Sequence, residues 1–541
     1  MSRPSRLLAL LCFGALGVSC EGVVADPPPE ELRPPPPFEP GPQQMRRLTT
    51  AQYGNLVRDL VGDIVVPTSL PPDEVEGGLR AVGATRAGVS SRGVDQYEAA
   101  AYVIAEQAMS EERRSELLPC DPTGTVDTAC AERFIRRFGR KAWRRPLTTE
   151  EINRLVAVAD QAALTLDDFY DGLEFAIAAI LQSPDFVFRV EVGSDGRLTD
   201  WEMAERLSFF LWNTGPDEAL LDAAASGTLR SDGLTVHVDR MLADPRLRQG
   251  VRAFFDEMLG LEGLNSLSKD PTVFAHVSPD VGPDAREETL RLVEYVVLDE
   301  QLDYRELITT RTTFINRKLA SIYGVQAPSR DDFGRFEHPE DSLRRGLLGQ
   351  LSTLALHSHP ASSSATLRGA FIRRTLMCGS IPPPPANVDT SVPEPLPGQA
   401  TLRARVARHL TEPSCAGCHR LMDPLGLALE NFDAIGRFRT TDNDEPIDAS
   451  GELNGILFDD PVDLATTIAE SDEYTRCLTR TMYRYATGHE ESPDEAEAIL
   501  SVHDEFTESG FLVLSLMRAV ALSRGLSEIG GPRVDTVEGG E

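Results

Sequence analysis

The sequence contains no G-x-S-x-G, no H-E-x-x-H and no P-loop. It therefore offers no serine-nucleophile elbow, no helical histidine pair of a zinc protease and no glycine-rich phosphate cradle. Basic charge is also scarce: 53 Lys and Arg stand against 85 Asp and Glu, a net charge of −32. Such a surface repels nucleic-acid phosphate and anionic headgroups, which excludes a nucleic-acid partner. The excess acid reads as a solvated face without a function of its own. Strand-like alternation is rare, and the one strongly apolar run, near the N-terminus, is too short to span a membrane.

What remains is ordinary globular composition, 41% hydrophobic and 26% charged over 541 residues. That length calls for a few packed units rather than one core. Residues 1–19 join a basic end to the apolar stretch Leu7–Gly17 and read as a secretory signal. Gly17-Val18-Ser19-Cys20 is close to a bacterial lipobox, with Gly17 standing where Leu is usual, so Cys20 is the expected lipidation site. A proline-rich stretch within 20–44 would then form an extended tether.

Three segments open with a threonine three residues before Gln or Glu: Thr49 before Gln52, Thr148 before Glu151 and Thr199 before Glu202. This is the capping box that satisfies free amides at a helix start. Apolar residues follow at helical spacing, namely Tyr53, Leu56, Val57, Leu60; Ile152, Leu155, Val156, Ala159; and Met203, Leu207, Phe210, Leu211. Helical patterns recur at 169–181, 251–261 and 287–298. The expected fold is mainly α: several helical units in series, at 45–118, 119–192 and 195–328, then a C-terminal cytochrome c-like haem module at 341–440 and a last helical unit at 450–525. Pro382–Pro385 with Pro393, Pro395 and Pro397 forms a connector inside that module, and 526–541 reads as a disordered tail.

Cys415-Ala416-Gly417-Cys418-His419 carries the chemistry. Covalent haem attachment needs two thiols for two vinyl groups and an adjacent imidazole for the iron, and C-x-x-C-H on a helical turn supplies all three. From the chain's own eight cysteines and nine histidines, chance would place this motif roughly 0.002 times, so coincidence is a poor account. A structural zinc site would need a second ligand pair and a thioredoxin-like dithiol a βαβ setting, and neither is in the sequence. Cys415 and Cys418 are thus the expected thioether positions of haem c, with His419 the proximal iron ligand. Cys12 leaves with the signal and Cys20 takes lipid. Cys120, Cys130, Cys378 and Cys477 remain, an even set for an oxidising compartment. Cys120 to Cys130 is the local pairing and Cys378 to Cys477 follows by elimination.

From Cys418 onward the chain reads CHRLMDPLGLALENFDAIGRFR, and upstream stand Ala142-Trp143-Arg144-Arg145-Pro146, Ser183-Pro184-Asp185-Phe186 and Arg345-Gly346-Leu347. With Tyr485-Ala486-Thr487-Gly488, this order resembles a large family of exported multi-domain proteins known from planctomycetes and myxobacteria, whose modules are mostly domains of unknown function. The resemblance covers roughly residues 45 to 520. It implies a cytochrome-like exported protein and carries over no substrate or catalytic residue. His489 stands where that family usually has a basic residue.

The reading that follows is an extracytoplasmic c-type haem protein, lipid-anchored in the cell envelope, passing one electron to or from an unidentified redox partner. A haem oxidase or peroxidase and a surface scaffold with incidental haem are the alternatives. The sixth iron ligand is open between Met482, His359 and no protein ligand, because Met422 shares a helical turn with His419 and cannot reach the opposite haem face. Arg144, Arg145, Arg373 and Arg374 read as surface or helix-end charges. Asp423, Glu430 and Asp433 read as turn and capping residues past the haem helix.

Overall fold

The computed structural model describes residues 37–231, 233–275, 277–382 and 401–531. The signal segment, Cys20, most of the tether, the proline connector beyond Pro382 and the end of the tail lie outside the described residues. Helices dominate, and the only sheets among the described residues are four two-stranded pairs.

Each of the three capping boxes forms as the sequence requires, with the threonine hydroxyl accepting from the third amide and the Gln or Glu side chain returning to the cap amide. Their apolar stripes are all buried. The helix Phe169–Leu181 has the expected bounds. The 251–261 pattern belongs to a helix running Leu247–Met258, ended at Gly260 in the left-handed region (φ 65°). That of 287–298 is the helix Val281–Glu294 continued by a π turn, Tyr295–Asp299.

The serial units share cores. One apolar cluster, from Leu48 to Phe209, joins the first two units and takes in Phe209 of the third. A larger one runs from Leu79 to Ile529 and unites the third unit, the C-x-x-C-H module and the final helices. The N-terminal strand Gln44–Arg47 pairs antiparallel with Phe188–Glu191, Gln44 opposite Glu191. Beneath this pair three guanidiniums converge on buried Glu191: Arg206 at 2.6 Å, Arg189 at 2.7 Å and Arg46 at 3.7 Å. Burial alone would raise the Glu191 carboxyl, but these arginines hold it well below the usual carboxylate range. Arg46 also donates to the carbonyls of Ala81 and Ala486, and Arg206 to that of Leu526, so the cluster ties the strand Gln44–Arg47 to the segments around Ala486 and Leu526.

Two disulfides, Cys120–Cys130 and Cys378–Cys477, fix the chain further. The first closes the loop before the helix Thr128–Ala142. The second joins the segment after Ile372–Leu376 to the helix Asp472–Thr487. Arg144 departs from its surface reading. It is 1% exposed and donates to the carbonyls of Ala142, Asp185, Phe186 and Phe188, a backbone cage assembled from two helix ends.

Candidate haem-attachment site

Cys415, Cys418, His419 and Asp423 all lie on one helix, Pro413–Leu427. At i, i+3, i+4 and i+8 they share a face. Asp423 is therefore not a turn residue: the helix passes through Pro424, which forgoes one backbone hydrogen bond, and ends only at Ala428. Its carboxylate is fully buried, and the His419 Nδ1 is 3.0 Å from each of its oxygens. An ionised carboxylate only accepts, so Nδ1 carries the proton and donates it, and the lone pair of His419 is left on Nε2. Thr366, on the crossing helix Ala365–Phe371, donates its hydroxyl to the same carboxylate at 2.8 Å.

The preceding helix, Leu402–Thr411, turns back at Glu412 and sets His409 against His419, with ring centroids 4.2 Å apart and planes at 45°. Its Nδ1 is 3.6 Å from Asp423 Oδ2. Burial and the neighbouring His419 push the His409 imidazole below its ordinary value, with Asp423 opposing. Two imidazoles in van der Waals contact leave no room for a porphyrin plane between them, so His409 in this position is a neighbour of His419 and not its opposite number. His409, His419 and Asp423 have ligand-type atoms within 4.8 Å of one another.

Cys415 and Cys418 are both partly exposed, and the two disulfides join Cys120 to Cys130 and Cys378 to Cys477. Cys418 Sγ reaches the carbonyl of Pro382 at 3.5 Å. Two cysteine side chains one turn apart, beside an imidazole held by Asp423 through Nδ1, are the donor types that covalent haem needs. The fit rests on this donor set.

Beyond the helix the chain is clamped by Arg368, which is wholly buried and donates to the carbonyls of Leu354, Leu429, Phe432 and Asp433. Burial lowers this guanidinium to about 10. Glu430 is likewise buried, against its reading as a turn residue: it accepts from Ser363 and Arg439 and lies 3.7 Å from Arg368. Asp433 does cap the following turn, accepting from the amides of Ile435 and Arg437.

The two distal-ligand candidates occupy different surroundings. Met482 is fully buried within the large apolar cluster. His359 lies in a partly buried loop whose carbonyl accepts from Lys269 Nζ at 3.1 Å, and it is not in the group formed by His409, His419 and Asp423. His489 is buried and bonds Glu495 at 3.0 Å. Arg373 reaches the Asn454 side chain, and Arg145 pairs with Glu151 and Asp185.

Five family profiles match the chain in succession, each described as a protein of unknown function: DUF1587 over 46–110, DUF1595 over 130–191, DUF1592 over 198–325, DUF1588 over 344–442 and DUF1585 over 454–525. The thiols, His419, His409 and Asp423 all fall in the DUF1588 region. No curated protein and no solved structure matches.

Proposed function

For a chain that carries these five domains in tandem, we propose an extracytoplasmic c-type haem protein that passes one electron to or from a partner protein. The observation that carries this reading is the arrangement of Cys415, Cys418 and His419 on one face of the helix Pro413–Leu427, with the His419 Nδ1 3.0 Å from the buried Asp423 carboxylate. The two disulfides elsewhere suit an oxidising compartment, which is where c-type haem is attached in bacteria.

In this role Cys415 and Cys418 would form the two thioethers and His419 would hold the iron through Nε2, with Asp423 engaging its Nδ1–H. Haem bound there would supply a one-electron carrier. Arg368 and Asp433 hold the backbone beyond the helix, and Glu430 is held by Ser363 and Arg439. Among the described residues no helix is long and apolar enough to cross a membrane; attachment to the membrane through lipidated Cys20 completes the proposal.

A redox titration of protein matured in a host that attaches c-type haem tests the reading. A reversible one-electron transition with a small-protein donor supports it. A high-spin haem that turns over peroxide but exchanges no electron with such a donor would favour the oxidase or peroxidase alternative.

A further inference from the structure

The helices Ala365–Phe371 and Pro413–Leu427 cross at two glycines. A β-carbon on Gly369 would overlap the carbonyl of Met422, and one on Gly426 would overlap the carbonyl of Ala365. Both glycines are therefore required for the backbones to meet this closely. The crossing brings the Thr366 hydroxyl to Asp423 Oδ1 and seals the carboxylate from solvent. His419 is in turn bonded by both carboxylate oxygens.

From this chain of contacts we propose that Asp423 is a positioning residue that sets the reduction potential of the iron held by His419, with Thr366 as a moderator, an inference that rests on the haem reading. A buried carboxylate accepting the Nδ1–H shifts electron density onto the imidazole and makes Nε2 a stronger donor. A stronger donor favours the more highly charged ferric iron, which lowers the potential. The Thr366 hydroxyl draws on the same carboxylate and weakens its hold on His419, so it acts in the opposite direction. His409 packs on the ring without taking either carboxylate oxygen at hydrogen-bonding distance.

The test is the potential of full-length matured protein with Asp423→Asn and Thr366→Val, measured by spectroelectrochemistry after covalent haem has been verified on a denaturing gel. Asp423→Asn keeps the shape but is a poorer acceptor. It should shift the reduction equilibrium at least tenfold toward ferrous iron, a rise of about 59 mV for one electron. Thr366→Val should shift it about threefold the other way by freeing the carboxylate. A merely structural role would not give opposite signs. Haem attached in both variants with potentials equal to that of the unmodified protein overturns the role of Asp423 and leaves the haem reading standing. No covalent haem in the unmodified protein overturns both. Should Asp423→Asn fail to fold, Thr366→Val decides: a lowered potential supports the inference, and an unchanged or raised one overturns it.

Discussion

Gly426 lies against the carbonyl of Ala365 with no space for a β-carbon between them. Gly369 meets Met422 in the same way on the other side of the crossing. Overpacking a contact between two backbones forces one helix to move, so Gly426→Ala and Gly369→Ala should each destabilise by roughly 1–3 kcal/mol. Chemical unfolding followed by far-UV circular dichroism reads this directly. A change smaller than about 0.5 kcal/mol in both, within the range of ordinary surface substitutions, would mean that the helices separate easily.

The two disulfides should differ in worth. Cys378–Cys477 spans 99 residues and Cys120–Cys130 spans 10. Loop-closure entropy makes the first worth about 5 kcal/mol and the second about 3 kcal/mol. Replacing each pair with serines and comparing denaturation midpoints tests the order. Equal losses would point to residual structure that already holds Cys378 near Cys477 in the unfolded chain.

Removing the charge of Glu191 leaves Arg46, Arg189 and Arg206 buried around a neutral side chain. Glu191→Gln should therefore cost about 3–5 kcal/mol. Because the Glu191 carboxyl is held well below its unfolded value, its contribution is present above the normal carboxylate range and disappears only in strong acid. The variant should accordingly be less stable than the unmodified protein at pH 7 and lose that disadvantage as the medium becomes strongly acidic. Thermal unfolding at a series of pH values measures both effects.

Glu288 has the opposite sign. Burial pushes its carboxyl up to about 7, against the hydroxyls of Thr313 and Tyr323, which donate to it, and Arg344 nearby. The folded state thus holds a proton that the unfolded chain releases near its ordinary value of 4.5. Its contribution is full below that value, falls as pH rises and is gone above about 7, a loss of roughly 3 kcal/mol. Glu288→Gln should flatten the stability profile between pH 5 and 8 relative to the unmodified protein. An unchanged slope would place the proton elsewhere.

The parts of this molecule legible in the sequence are those specified by near neighbours. A threonine three residues before Gln or Glu, with apolar spacing after it, sufficed for the helices beginning at Thr50, Thr149 and Asp200. An even remainder of cysteines sufficed for both disulfides, and the helical spacing of Cys415, Cys418 and His419 is borne out as one face of one helix. Asp423 was misread because Asp-Pro is a turn signal, although its distance of four residues from His419 was a helical signal of equal standing. Arg144 and Glu430 were misread for another reason. Their partners, the carbonyls of Asp185, Phe186 and Phe188 and the side chains of Ser363 and Arg439, come from distant segments, and charged side chains are seldom buried without such partners. His409 carries no local signal, since only the reversal at Glu412 brings it to His419.

Covalent attachment of haem at Cys415 and Cys418 is the claim on which the functional account turns. Intact-mass and peptide mass spectrometry of protein exported from a host that matures c-type cytochromes tests it most directly. The account predicts the added mass of one haem, carried by the peptide containing Cys415, Cys418 and His419, and its loss in a Cys415→Ala, Cys418→Ala double variant. An unmodified peptide with both thiols open to alkylation, in folded protein whose Cys120, Cys130, Cys378 and Cys477 are disulfide-bonded, would contradict it.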